Sequence, residues 1–186
     1  MTSKKDLNPW TTESEETLAS FRIFSLRKSR RINPRTKRPF DFLLMDGLDW
    51  VNIIALTPSN EVVLVEQYRH GVGEWTVEIP GGCVEQDEAP LDGAQRELKE
   101  ETGYEVSEIE HLGSFMANPA MQSMKVHTYL ARGAKQVSQP NLDAGEDIRV
   151  SVRPLGEVMS LVRTGTIQHS IVMAALFLAS LKLENK

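Results

Sequence analysis

Apolar residues fall in short strand-like runs along most of this chain and settle into helical stripes in three places. Val51–Thr57 and Glu61–Tyr68 are β-branched runs joined by Pro58-Ser59-Asn60, a turn signal, and predict a pair of strands. Phe21–Leu26 and Phe40–Met45 predict a small N-terminal antiparallel sheet around a basic turn. Trp75–Ile79 is a short strand running into Pro80-Gly81-Gly82, and Ile109–Ala117, Lys125–Ala131 and Ile148–Arg153 are further strands. The first helix is expected from about Asp87, its N-cap, with Pro90 in the first turn and Leu91, Ala94 and Leu98 as the buried stripe. Gly103 ends it in the left-handed position that glycine takes without steric cost. Pro154 introduces a second helix over Leu155–Arg163, stopped by Gly165, and Ser170–Leu183 is a largely apolar third helix that must be well buried. Strands interrupted by one central helix and closed by C-terminal helices predict an α/β sandwich. The expected division is an N-terminal β segment, residues 1–48, and a main domain, residues 49–186.

Composition narrows the setting. The 186 residues suit one medium domain with a small appendage, and 40% apolar residues supply its core. A single cysteine, Cys83, excludes an intrachain disulfide. The polar N-terminus lacks the apolar stretch of a signal peptide, and the longest apolar run, Ile171–Leu181, falls short of the ~20 residues that span a bilayer. A soluble, cytoplasmic protein without a membrane partner is therefore expected. Net charge is −5, but residues 1–46 carry ten Lys/Arg against six Asp/Glu while the remainder carries eleven against twenty. Seven of those basic residues lie in Arg27–Arg38, which reads as a solvated hairpin tip around Asn33-Pro34, with attraction of a polyanion as the rival reading.

The candidate chemistry sits in Glu97, Glu100 and Glu101, at i, i+3 and i+4 of the first helix. That spacing puts three carboxylates on one face, about 5–6 Å apart at Cβ, where they repel. It is also the oxygen-donor set a hard cation such as Mg²⁺ takes. The glutamates belong to a longer pattern, Gly82-x5-Glu88-x7-Arg96-Glu97-Leu98-x-Glu100-Glu101-x-Gly103 followed by Tyr104. Eight fixed identities coincide by chance on the order of once in a billion trials. The pattern resembles the Nudix box at every specified position, and the box covers residues 82–104.

That resemblance implies a Nudix α/β/α sandwich with a mixed sheet, and hydrolysis of a nucleoside diphosphate linked to a further group. It implies Mg²⁺, with Mn²⁺ as an alternative, held by Glu97, Glu100, Glu101 and Glu146, with the Gly81 carbonyl as an extra ligand. The same resemblance implies Glu100, Glu101 and Glu146 as the catalytic group together with Arg96, which would orient the glutamates. Glu88 takes a structural or outer-shell role.

Residues outside the box are similar to the ADP-ribose and nucleotide-sugar pyrophosphatases: Gln67-Tyr68-Arg69, Glu78-Ile79-Pro80-Gly81-Gly82, Pro119 sixteen residues after Gly103, and Gly145-Glu146-Asp147. Arg69, Tyr68, Trp50, Glu78 and Pro119 are the substrate-binding candidates. Arg69 offers a bidentate donor to phosphate, and the two aromatics offer stacking faces. Some relatives carry a second glutamate two residues before the late one, where Ala144 stands here. The general base is therefore left open among Asp143, Glu146 and a residue elsewhere. The subgroup also implies a homodimer built by the N-terminal strands. Two other readings remain: a triphosphate or RNA-end pyrophosphohydrolase using the same box, and a non-catalytic module that senses ADP-ribose. The four histidines (His70, His111, His127, His169) have no zinc-like spacing and are expected to be structural.

Overall fold

The computed structural model describes residues 8–184, so the expectations resting on residues 1–7 and 185–186 lie outside the described residues. The chain forms two compact units. Among the described residues, the first is built from 8–48 with Met116–Met124, the second from Asp49–Phe115 with 125–184.

In the first unit, β1 (Thr11–Ser20), β2 (Phe24–Ile32) and β3 (Pro39–Gly47) form an antiparallel sheet in the order β1-β2-β3. The expected strand at Phe21–Leu26 begins later and runs further, and β1 went unforeseen because Thr-Thr-Glu-Ser-Glu-Glu has no apolar alternation. Its polar residues are cross-strand partners. Arg30 bonds Glu13 at 2.8 Å and Asp41 at 3.1 Å, Arg27 bonds Asp46 at 2.6 Å and also Glu15, and Lys28 meets Asp41 at 3.1 Å. The first half of the basic run is thus the middle strand of an acid–base ladder rather than a hairpin tip. Only Arg35, Lys37 and Arg38 belong to the connection, where Asn33 Oδ1 accepts from the Arg35 and Thr36 amides. These pairs are exposed and screened by water, so the ladder sets register more than stability. Met116–Met124 joins this unit through Met45, whose N–H donates to Met121 C=O and whose C=O accepts from Ser123 N–H.

The second unit contains β4 (Trp50–Leu56), β5 (Glu61–Arg69), β6 (Glu74–Glu78), α1 (Pro90–Thr102), β7 (Tyr104–Glu105), β8 (Glu108–Met116), β9 (Lys125–Arg132), β10 (Lys135–Gln136), β11 (Ile148–Pro154), α2 (Leu155–Thr164) and α3 (Ser170–Glu184). Its mixed sheet runs β11-β5-β4-β9-β8, with β4 and β9 parallel and β11 antiparallel to β5. Strand alternation divides the core. Ile54, Leu56, Val62 and Leu64 pack with Val158 of α2 and Val172, Ala175 and Leu176 of α3. Val51, Ile53, Ala55 and Val63 pack with Ala94 and Leu98 of α1. The expected α/β/α layering is what forms. Among the described residues, no helix is long and apolar enough to cross a membrane.

Helix α1 departs from expectation at its start. Its N-cap is Ala89, with Pro90 at the first helical position, and Asp87 sits in a turn at φ 65°. Proline disfavours helical backbone in the residue before it, which keeps Ala89 extended and blocks an earlier start. Leu91 consequently lies in the overhanging first turn and is 41% exposed, so it is no part of the buried stripe. The stripe is Ala94, Leu98 and Glu101, and Gly103 caps it at φ 73° as expected. Leu98→Ala should cost about 2–5 kcal/mol in urea unfolding, whereas Leu91→Ala should stay within about 0.5 kcal/mol. Equal costs would return Leu91 to the core.

Candidate functional site

The site grows from a split in the sheet. Strand β5 touches β4 only at the Val62–Leu56 pair; from Val65 onward its partner on that side is β6. The chain leaving β6 then fills the gap beside β4. Val51 N–H donates to Gly82 C=O at 2.9 Å and Ile53 N–H to Pro80 C=O at 3.0 Å. Gly81, between them, donates its N–H to Glu101 Oε2 at 3.0 Å. Gly81 is hemmed in by backbone, whereas at Gly82 the obstacle is the end of the Glu97 side chain. A Cβ on Gly81 would strike the Val51 carbonyl and lie 2.8 Å from Asn52 Cα, and one on Gly82 would lie 2.5 Å from Glu97 Cδ.

Glu101 follows Ala94 and Leu98 by helical spacing, so the stripe that builds the core carries a carboxylate into it. Glu101 is only 3% exposed. Burial, with repulsion from Glu97 and Glu146, pushes its pKa up to about 8, against the pull of the Gly81 N–H and the Arg69 charge. Burial also raises Glu97, overcoming its bonds to Arg96, with Glu100 and Glu146 adding repulsion. Arg96 holds the outer face. It grips Glu88 through Nε at 2.9 Å and Nη2 at 3.0 Å, and through Nη1 reaches Glu97 at 2.9 Å and Glu100 at 3.0 Å. Those bonds, Glu88's above all, raise the Arg96 pKa against burial. Glu88 is lowered by the same contact and also accepts from Glu85 N–H at 2.9 Å.

A cavity of about 890 Å³ in this unit is walled by Gln67, Tyr68, Arg69, Trp75, Glu146 and His169, among others. Of the sequence candidates, Arg69, Tyr68 and Glu146 share this wall. Arg69 is bound fork to fork to Glu78, Nε to Oε1 at 2.7 Å and Nη2 to Oε2 at 2.6 Å, which engages two of its five N–H donors. Burial works to raise Glu78, but the Arg69 bonds and charge, with Thr76 Oγ1 donating at 2.6 Å, hold it below its ordinary value. Tyr68 packs edge-on against His70 and Trp75. Glu146 closes a turn with Asp143, each backbone N–H bonded within the pair and Glu146 Oε2 accepting from Asp143 N–H at 3.0 Å. Trp50 is half-buried at the start of β4, bridged to Cys83 by its backbone and away from the cavity wall. Pro119 lies in the first unit, where it lines a separate cavity of about 440 Å³ with Trp10, Arg27 and Phe42.

Sequence reasoning missed Trp75, Thr76 and His169. The first two were recoverable, since Thr76 precedes Glu78 by the two-residue strand period and Trp75 faces Tyr68 in the β5–β6 register. Arg149 stacks over the Trp75 ring at 4.5 Å, a contact between distant strands that spacing does not encode. His111 and His127 are structural in kind: Asp49 Oδ2 lies 3.1 Å from His127 Nε2, Ser114 Oγ 2.8 Å from His127 Nδ1, and His111 Nε2 3.1 Å from Ser114 Oγ.

The NUDIX domain family matches residues 49–176. The chain is 37% identical over 126 residues to a methanol dehydrogenase activator of Bacillus methanolicus, covering 67% of this chain and 68% of that protein. It is 31% identical over 169 residues to an ADP-ribose pyrophosphatase of Mycobacterium tuberculosis, covering 88% of this chain and 79% of that one. A crystal structure of an ADP compounds hydrolase superposes with a TM-score of 0.86 at 22% identity, covering 98% of each chain, a likeness of fold. With the box helix set against a split mixed sheet and the family pattern matched over more than half its length, this chain belongs to the NUDIX family.

Proposed function

We propose that this chain hydrolyses nucleoside diphosphate sugars such as ADP-ribose, cutting between the two phosphates to give a nucleoside monophosphate and a sugar phosphate. The observation that carries the reading is a group of mutually repelling carboxylates, the buried Glu101, the half-buried Glu97 and the exposed Glu146, of which Glu101 and Glu146 lie within electrostatic reach of Arg69 on the wall of a nucleotide-sized cavity. The names of the Mycobacterium tuberculosis and Bacillus subtilis relatives, both ADP-ribose pyrophosphatases, support the substrate class.

The donor set fits a hard divalent cation, Mg²⁺ first and Mn²⁺ second. Its atoms are carboxylate oxygens, and Glu101 is buried with its charge poorly compensated. Among the described residues, no three His, Cys, Asp or Glu side chains converge to enclose an ion unaided. That suits Mg²⁺, which keeps waters and shares itself between one or two carboxylates and substrate phosphates. Glu97 and Glu101 would hold it together with water and substrate phosphates, with Glu100, Glu146 and the Gly81 carbonyl as the further donors. When bound, the cation supplies charge neutralisation and an acidified water. Arg96 keeps Glu97 and Glu100 from swinging to solvent, Arg69 offers its remaining donors to a phosphate, and Tyr68 offers a ring face to the nucleoside. The proton acceptor stays open among Asp143 and Glu146, which share one turn, and a residue elsewhere.

We further infer a homodimer in a reducing cytoplasm. The N-terminal sheet leaves Phe21, Ile23, Phe40 and Leu43 exposed, Phe21 at 59% and Leu43 at 55%, apolar surface that a second copy would cover. Light scattering should give twice the chain mass, and Phe21→Ser with Leu43→Ser should halve it. A monomeric parent chain at micromolar concentration would end this part of the reading.

Glu101→Gln keeps the size and removes the charge, so kcat should fall by on the order of 10²-fold or more, while Cys83→Ser leaves it near the parent value. The same variant isolates a pH effect. A carboxyl raised from 4.5 to about 8 retains in the fold a proton that the unfolded chain has released. Its stabilising contribution is therefore full below pH 4.5 and lost as pH rises to about 8. In EDTA, Glu101→Gln should gain on the parent in Tm by about 5 °C or more between pH 5 and pH 8, and Mg²⁺ should reverse that gain. A Tm difference independent of pH would place the carboxylate in water.

Assay of nucleotide sugars, nucleoside triphosphates and capped RNA in H₂¹⁸O should show monophosphates from the sugars, with ¹⁸O in one product. Pyrophosphate from triphosphates, and no monophosphate from any nucleotide sugar, would replace this reading with the triphosphate or RNA-end one.

A further inference from the structure

Glu78 is 3% exposed and does not line the cavity, whereas Arg69 and Thr76 both do. A carboxylate so buried offers almost no surface to a substrate, so its influence on one passes through the groups it holds. The β5–β6 register sets Thr76 opposite Gln67 and Glu78 opposite Val65, which puts Arg69, Thr76 and Glu78 on one face of the strand pair. Arg69 gives Nε and Nη2 to Glu78, while its side chain stays 40% exposed. The edge made by Nη1 and the second hydrogen of Nη2 remains, a two-pronged donor that matches two oxygens of one phosphate. Thr76 Oγ1 lies 2.6 Å from Glu78 Oε1 and 3.3 Å from Gln67 C=O, and its single hydrogen favours the nearer, charged acceptor. A buried ion pair adds little to stability over apolar residues of the same shape, because desolvating both charges offsets their attraction. What this pair supplies is direction, since a guanidinium held at two atoms cannot swing.

Resting on the pyrophosphatase reading and the phosphate contact it gives to Arg69, we propose that Glu78, steadied by Thr76, is a positioning residue that aims the remaining edge of the Arg69 guanidinium at a substrate phosphate. Glu78 touches no substrate atom; its effect arrives only through Arg69. The phosphate is already charged before the reaction begins, so the contact is made alike in the bound substrate and in the transition state. Its loss therefore shows in KM rather than in kcat.

The test measures kcat and KM for ADP-ribose with Mg²⁺ in the parent chain, Glu78→Gln, Thr76→Val, Thr76→Ser and Arg69→Ala. Two double variants add Glu78→Gln or Thr76→Val to Arg69→Ala. Glu78→Gln keeps the shape but sets an amide N–H against the guanidinium, so KM should rise about tenfold with kcat within about twofold of the parent. Thr76→Val should raise KM about threefold in the same way, and Thr76→Ser, which restores the hydroxyl, should bring it back. With Arg69→Ala in place, neither substitution should move KM by more than about twofold, because the group it acts through is gone. Where Glu78→Gln or Arg69→Ala fails to fold or turn over, Thr76→Val and Thr76→Ser decide alone, by the rise in KM and its reversal. An unchanged KM, a loss carried by kcat, or effects that multiply in the double variants overturns the proposal and leaves the pyrophosphatase reading standing. A parent chain inactive on ADP-ribose and on other nucleotide sugars overturns that reading and this inference with it.

Discussion

Burying the Glu101 carboxyl with the Gly81 N–H as its hydrogen-bond partner places an ionisable group where solvent cannot screen its charge, and the surrounding backbone is shaped by that demand. The N–H is available because the sheet splits after the Val62–Leu56 pair and lets residues 80–82 run beside β4, with Gly81 turned toward α1. The helix in turn presents Glu101 at that point because the residue continues the Ala94–Leu98 stripe that the core requires. Core packing and placement of the carboxylate are one constraint. A shift of α1 by one residue would rotate it by about 100° and carry the charge off the stripe.

The arginines nearby do not relieve the charge. Arg96 is shared among Glu88, Glu97 and Glu100, three carboxylates against one guanidinium. Arg69 is matched by the buried Glu78. Glu146, and Glu101 once it is ionised, therefore contribute negative potential to a region that, in the proposed reaction, must accept a pyrophosphate of the same sign. Two like-charged groups approach in a low-dielectric site only when a cation stands between them. The electrostatics thus argue for a divalent ion on grounds independent of the box spacing.

Much of this was legible in the chain. The box fixed the helix, its cap at Gly103 and the three glutamates, because those features depend on local spacing. The departures arise where local signals compete or where a partner is remote. Asp87 is a good capping residue, yet Pro90 constrains Ala89 and moves the start of α1 two residues on. Leu91 has the right period but lies in a turn that overhangs the sheet. Strand β1 reads as a polar tail until the arginines of β2 are set beside it. Met116–Met124 joins the first unit through bonds to Met45, across more than seventy residues of intervening chain. His169 carries no local signal at all; it reaches the cavity wall because three distant segments assemble there.

Protonation and cation binding compete for the same oxygens of Glu101, which links the folding constraint to function. A carboxyl that titrates near 8 in the cation-free chain is largely protonated at neutral pH, so binding an ion there must expel a proton. The apparent affinity for the ion then falls as pH drops below that value, even though the ligands themselves are unchanged. An arrangement of this kind holds its carboxylate neutral while the cavity is empty, which lowers the cost of burying it. It then yields the charge when an ion and an anionic substrate arrive together, so that each of the two helps the other to bind.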